Sequence, residues 1–81
     1  MHTLYIATPC PYCTIVTTFI LENDYKNIEI IETNWNPNVH SYLRSTYGKS
    51  QVPLLLINNS PLYESADILT YLKKNKGEFN K

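Results

Sequence analysis

An excess of charge of one sign is the first thing this sequence lacks. Its 81 residues include seven Lys plus Arg and seven Asp plus Glu, so the formal net charge is zero. Proteins that bind nucleic acid neutralise phosphates with clustered cations. Basic residues gather here only at Lys73, Lys74 and Lys76, where they suit the C-terminal end of a helix. We therefore expect no nucleic-acid partner.

The sequence also lacks a long hydrophobic run. The uncharged stretch at residues 51–63 is interrupted by Pro53, Pro61 and the polar residues between them. A helix that crosses a bilayer needs about 20 apolar residues. The first residues show no basic segment followed by an apolar one, as a secretory leader would. We expect no membrane association and a cytoplasmic location.

Histidine and cysteine are scarce: the chain has His2, His40, Cys10 and Cys13. A closed zinc site takes four ligands at recognisable spacing, so we expect no metal site and interpret both histidines as surface or rim residues. A disulfide that closes so short a loop adds little stability. Reactivity explains the cysteine pair better than a structural bridge does.

What is present suits one small globular domain spanning residues 1–81. Hydrophobic residues make up 43% of the chain and charged residues 17%, which is far from the composition of disordered segments. Chains commonly use roughly 100 to 200 residues per domain. A second folding unit is therefore not expected.

The hydrophobic pattern predicts an alternation of strands and helices. The first half reads as strand, helix, strand, helix, and the second half as a β-hairpin followed by a helix that Ser65 caps. The predicted strands cover residues 2–6, 27–32, 52–57 and 61–63, and the helices cover 11–22, 37–47 and 65 to about 75. Tyr5, Phe19, Tyr42 and Tyr71 are expected in the core. The predicted class is α/β, a four-stranded mixed sheet flanked by three helices in the order βαβαββα.

The cysteines stand where the first strand passes into the first helix, in Cys10-Pro11-Tyr12-Cys13. A cysteine just before a helix faces unpaired backbone amides, which stabilise a thiolate. Pro11 suits the first helical position and has no N–H of its own. Cys13 lies one turn deeper and can attack a mixed disulfide formed on Cys10. We predict that Cys10 is the nucleophile, Cys13 the resolving thiol and Pro11 a positioning residue.

Three motifs in order carry a resemblance to a known family. They are Cys10-Pro11-Tyr12-Cys13, then Gln51-Val52-Pro53 before an apolar strand, then Glu64-Ser65 at the start of the last helix. Together they resemble the glutaredoxins of the thioredoxin superfamily, most closely those that are similar to the N-terminal domain of glutathione S-transferases. The resemblance spans residues 4–72 and implies a thioredoxin-like fold.

The resemblance also implies a glutathione site. Pro53 would follow a cis peptide bond, the Val52 backbone would pair with the cysteinyl part of glutathione, and Glu64 with Ser65 would hold the γ-glutamyl end. We add Gln51 to the predicted glutathione-binding residues and place Tyr12 at the rim of the predicted cleft. Many relatives carry a cation where this chain has Ala7, and Lys49 or Arg44 could supply that charge instead. The full set of glutathione-binding candidates is Tyr12, Lys49, Gln51, Val52, Pro53, Glu64 and Ser65.

The activity implied is that of a dithiol glutaredoxin that acts in cellular redox homeostasis and electron transport. Its reductant would be glutathione and its partners disulfide-containing or glutathionylated proteins, and we expect a monomer. One alternative is a thioredoxin-like reductant recycled by a flavoprotein reductase. Another is a dimer that carries an iron–sulfur cluster without catalysis, which Pro11 disfavours because cluster-binding relatives generally lack that proline.

Overall fold

One mixed sheet with helices on both faces forms the protein, and the computed structural model describes residues 2–80. The strands are β1 (His2–Ile6), β2 (Ile28–Glu32), β3 (Leu54–Ile57) and β4 (Ser60–Leu62). The helices are α1 (Pro11–Glu22), α2 (Pro37–Tyr47), α3 (Ser65–Lys74) and α4 (Lys76–Phe79). The sheet order is β2-β1-β3-β4. β1 runs parallel to β2 and antiparallel to β3, which is antiparallel to β4. The predicted fold class is confirmed, with α4 as an addition.

β3 divides the core into two layers because successive side chains of a strand point to opposite faces. Leu55 belongs to the cluster under α1 and α3, whereas Leu54 and Leu56 pack against Leu43 of α2. Side chains on both faces of β3 are therefore buried.

α1 forms where the sequence predicted it, and it carries the cysteines at its N-terminus. Val16 and Ile20, four residues apart, face the sheet and are buried. The helix therefore has a fixed rotation, which places its first turn at the end of β1. None of the helices between residues 2 and 80 combines the length and the apolar character needed to cross a membrane.

The short helix α4 packs against the core layer that contains Leu55, and it helps to bury His2, which we expected at the surface. Phe79 is fully buried, and the ring of His2 lies 4.7 Å from its ring. His2 Nε2 is 2.8 Å from the Tyr71 hydroxyl. The interpretation of His2 as a surface residue is therefore wrong, because α4 and α3 cover the start of β1. Burial lowers the pKa of His2.

Other boundaries differ from the sequence prediction for local reasons. β3 begins at Leu54, since Val52 and Pro53 make no ladder pair and a proline has no N–H to donate. The return strand runs one residue earlier than expected, over Ser60–Leu62.

Tyr42 is 53% exposed on α2, so its assignment to the core is wrong. Its ring meets Tyr47 edge-on at 6.4 Å.

Candidate active site

Cys10 occupies the N-cap position of α1 and places its sulfur at the free amides of the first turn. The Cys13 amide donates to Cys10 Sγ at 3.2 Å, so the thiol sulfur takes the place of the usual capping oxygen. Pro11 follows at the first helical position. Cys10 is partly exposed. The sulfur therefore lies at the N-terminal end of α1, where a backbone amide of the first turn donates to it.

Cys13 is chemically different from Cys10 although it is only one turn away. Its side chain is 2% exposed. Desolvation, followed by a hydrogen bond with the Cys10 side chain, raises the pKa of Cys13 to about 12. The thiol form therefore dominates at neutral pH, which is the state required of a resolving group that waits for an intermediate.

A cleft of about 380 Å³ lies beside the first turn of α1. It brings together residues from three separate segments: Tyr12, then Gln51, Val52 and Pro53, then Glu64 and Ser65. The Val52–Pro53 peptide bond is cis. Pro53 is buried and forms part of the inner wall of the cleft, whereas Tyr12 is 64% exposed and forms part of its rim. Six of the seven predicted glutathione-binding residues thus lie around one space.

The start of α3 forms one wall of the cleft in an unexpected way. Ser65 is not the N-cap: Glu64 holds that position, with φ 69° and ψ 120° and no capping hydrogen bond from its side chain. Its carboxylate accepts a hydrogen bond from Gln51 Nε2 at 3.0 Å. A residue in that backbone region is strained unless its surroundings hold it, and such strain is concentrated at functional sites.

Lys49 lies apart from the six residues that line the cleft. Its Nζ is 5.3 Å from the centre of the Tyr63 ring, in a cation–π contact. Its carbonyl oxygen accepts a hydrogen bond from the Tyr63 hydroxyl at 3.1 Å. The predicted contact of Lys49 with a ligand stays a prediction.

Sequence reasoning missed a polar network behind the site. Trp35 Nε1 donates to the carbonyl oxygen of Thr8 at 3.1 Å, and the indole stacks on His40 at 5.4 Å between ring centroids. Glu32 accepts from the Thr8 hydroxyl at 2.5 Å and from the amide of Asn34 at 3.0 Å, which lowers the pKa of Glu32. No local motif signals the contacts of Thr8, because its two partners, Glu32 and Trp35, lie 24 and 27 residues further along the chain.

In residues 2–80 no group of three or more His, Cys, Asp or Glu side chains could hold a metal ion.

Comparisons with known proteins relate this arrangement to thiol and glutathione proteins. The family model of the glutathione S-transferase N-terminal domain matches residues 4–79. A search of curated proteins found no match. Wheat glutaredoxin is 21% identical with a TM-score of 0.68, over 91% of this chain and 71% of that chain.

Two further solved structures contain glutathione or an analogue of it. The buckwheat glutaredoxin–glutathione complex is 17% identical with a TM-score of 0.70, over 93% of this chain and 70% of that chain. A glutathione S-transferase of Methylobacterium radiotolerans, in complex with glutathione sulfonate, is 25% identical with a TM-score of 0.70. That match covers 90% of this chain and only 34% of the transferase.

The mixed four-stranded sheet with its flanking helices is a thioredoxin-like fold, which this chain shares with the solved glutaredoxins. Because the family model spans almost all of the described residues, the chain belongs to the glutathione S-transferase N-terminal domain family. The resemblance read from the three motifs is confirmed.

Proposed function

We propose that this protein is a glutathione-dependent thiol–disulfide oxidoreductase, with Cys10 as the nucleophile and Cys13 as the resolving thiol. The observation that carries the proposal is the contrast between two sulfurs one turn apart. The Cys10 sulfur is partly exposed and accepts an amide hydrogen bond, whereas Cys13 is buried with a raised pKa. Such a pair suits attack by one sulfur and delayed closure by the other.

The single-cysteine route transfers glutathione through Cys10. The Cys10 thiolate attacks the glutathione sulfur of a protein–glutathione disulfide, and the protein thiolate leaves and takes a proton from solvent. A glutathione thiolate then attacks the glutathione sulfur held on Cys10. This second exchange forms oxidised glutathione and restores the Cys10 thiolate, so two glutathione sulfurs end up in one disulfide.

The two-cysteine route reduces a disulfide within or between proteins. Cys10 attacks one sulfur and forms a mixed disulfide, which releases the first protein thiol. Cys13 loses its proton and attacks the Cys10 sulfur, which releases the second thiol and closes the Cys10–Cys13 disulfide. Two molecules of glutathione reopen that disulfide and supply both electrons.

The six-residue cleft supports glutathione as the thiol that is used. Val52 precedes the buried Pro53 and makes no ladder pair, so its backbone groups can take an extended peptide as an added strand. The Glu64 carboxylate accepts a hydrogen bond from Gln51 at the α3 end of the same space and can accept another from an ammonium group. The solved complexes with glutathione and glutathione sulfonate belong to proteins of the same fold.

The test is the glutathione-coupled reduction of hydroxyethyl disulfide by the wild type, Cys10→Ser and Cys13→Ser. We expect the wild type to turn over and Cys10→Ser to fall to the uncatalysed background. Cys13→Ser should retain activity of the same order as the wild type, because the single-cysteine route does not need it. The two variants are matched controls, since each makes the same substitution at sulfurs one turn apart.

Full activity of Cys10→Ser would refute the assignment of the nucleophile. Turnover with a flavoprotein thioredoxin reductase, together with none from glutathione and glutathione reductase, would instead favour the thioredoxin-like alternative. A brown dimer after anaerobic purification would favour the iron–sulfur alternative, because a bound cluster absorbs visible light and needs thiolates from two chains.

A further inference from the structure

We propose that His40 is a positioning residue that holds the Val52 wall of the cleft against the loop that carries Cys10. The proposal rests on the proposed function for its effect on catalysis, whereas its structural part can be tested without turnover. It assigns a role to His40 and Trp35, which the functional motifs leave unexplained.

Both ring nitrogens of His40 are engaged, and their partners determine the proton position. Nδ1 lies 3.0 Å from the carbonyl oxygen of Ser50, which can only accept, so Nδ1 carries the hydrogen. Nε2 lies 2.9 Å from the Thr33 hydroxyl and accepts from it in the neutral ring. The Thr33 oxygen in turn accepts the backbone N–H of Trp35 at 3.3 Å. Thr33 is buried, so the hydroxyl contacts are shielded from water.

The Trp35 side of this network reaches the segment before the reactive cysteine. The indole N–H donates to the carbonyl oxygen of Thr8, two residues before Cys10, while the ring stacks on His40 with an interplanar angle of 15°. The Thr8 hydroxyl is bonded to Glu32 at the end of β2. The loop before Cys10 is therefore held at both its backbone and its side chain.

The Ser50 side reaches the segment before the cis peptide bond. Residues 49–53 lie between α2 and β3 and make no ladder pair, so side chains determine where this segment sits. His40 binds the Ser50 carbonyl oxygen, and Arg44 donates to the Ser50 hydroxyl at 3.2 Å. Ser50 is two residues from Val52, so a shift at Ser50 moves the backbone that would pair with glutathione. His40 thus connects the wall that binds substrate with the loop that precedes the nucleophile.

The test compares substitutions that keep different parts of the His40 contacts. His40→Phe keeps an aromatic ring for Trp35 and loses both hydrogen bonds. His40→Gln keeps one donor and one acceptor and loses the ring. Ser45→Ala, on an exposed position of α2, is the matched control for changes in that helix.

We expect His40→Phe to raise the KM for a glutathione mixed disulfide by about tenfold, because the Ser50 carbonyl oxygen loses its His40 partner and the Val52 backbone is no longer held in position. The rate at which iodoacetamide alkylates Cys10 should change less than about twofold, because the Cys10–Cys13 contact is untouched. His40→Gln should recover most of the KM, and Ser45→Ala should match the wild type. An unchanged KM in His40→Phe, or equal defects in His40→Phe and His40→Gln, would overturn the proposal.

Amide hydrogen exchange separates this proposal from the proposed function. In His40→Phe we expect faster exchange at residues 50–52 than in the wild type, with unchanged exchange in β1. That result would support the positioning role even if the wild type showed no glutathione turnover. Unchanged exchange at residues 50–52 would refute the role whatever the activity.

Discussion

At the scale of single residues, the active site depends on how differently the protein treats two identical side chains. Cys10 caps a helix with its sulfur, and Cys13 points into the core from the next turn. The Cys13 amide that donates to Cys10 belongs to the residue whose own thiol is withheld from solvent. The first turn of α1 therefore gives the Cys10 sulfur a backbone donor, while burial raises the pKa of Cys13.

This difference predicts selective alkylation of the native reduced protein. At pH 7 a thiol with a pKa of about 12 is ionised in only about one molecule in 10⁵, so iodoacetamide should label Cys10 alone. In urea both cysteines should react, because unfolding exposes Cys13 and returns its pKa toward the ordinary value. Mass spectrometry of tryptic peptides distinguishes the two sites. Native labelling of Cys13 at a rate similar to that of Cys10 would contradict the burial argument.

At the scale of secondary-structure elements, the start of α3 combines a strained backbone conformation with a side chain that lines the proposed glutathione cleft. Glu64 sits at φ 69°, where a Cβ is disfavoured, and it contributes its carboxylate to the six-residue cleft. Gln51 holds that carboxylate from the opposite segment. The strained turn is therefore retained where it orients a polar group toward the proposed substrate.

Glu64 allows the backbone cost to be separated from the contribution of the side chain. Glu64→Gly and Glu64→Ala both remove the carboxylate, but only glycine relieves the positive φ. We expect Glu64→Gly to be more stable than Glu64→Ala by about 1 kcal/mol in urea unfolding. Both variants should bind glutathione more weakly than the wild type in calorimetry. Equal stabilities would show that the turn carries no strain.

The docking of α4 onto β1 predicts a dependence of stability on pH. The pKa of His2 is lowered in the folded state by burial, so below pH of about 6.5 the unfolded chain binds more protons. The contribution of neutral His2 to stability is present above that pH and decreases as the pH falls through it. Glu78 partly opposes the effect, since its charge favours the protonated ring.

His2→Gln isolates this effect, because glutamine can bond to the Tyr71 hydroxyl without titrating in this range. We expect the wild type to lose more stability than His2→Gln between pH 7.5 and pH 5, measured by urea unfolding at each pH. Parallel pH profiles for the two proteins would contradict the burial of an uncharged imidazole.

At the scale of the whole molecule, two thin core layers share β3. Leu55 is fully buried in the layer formed with α1, α3 and α4, and Leu54 is fully buried in the layer under α2. A domain of this size buries only about 60% of the surface of its unfolded chain, so each large core side chain carries much of the stability. The active-site helix is held in place by the first of these layers.

Leu55→Ala should therefore destabilise the folded protein strongly. Truncation of a buried leucine costs about 2–5 kcal/mol, and each kcal/mol lowers the Tm of a domain of this size by about 4–8 °C. We expect Tm to fall by at least about 10 °C in calorimetry. Leu21→Ala is the matched control, because Leu21 is 74% exposed on α1 and its truncation should change stability by less than about 0.5 kcal/mol. A similar Tm for the two variants would contradict the two-layer core.

Much of the fold could be predicted from local signals. Pro11 after Cys10, and Asn36 before Pro37, mark helix starts, and Asn36 does cap α2 by accepting from the Asn38 amide at 2.9 Å. The cleft could be predicted in outline because three motifs stand in a known order. The single-domain organisation, the monomeric state and the cytoplasmic location stay predictions.

The sequence by itself determined the order of the elements, where α1 and α2 begin and which sulfur caps α1, because propensity, capping and helical periodicity act over a few residues. Only the tertiary structure decided that His2 is buried against Tyr71, 69 residues away, and that His40 binds both Thr33 and Ser50. It also moved the cap of α3 from Ser65 to Glu64. These contacts join distant segments, and their energy exists only once the sheet and helices have brought the side chains together.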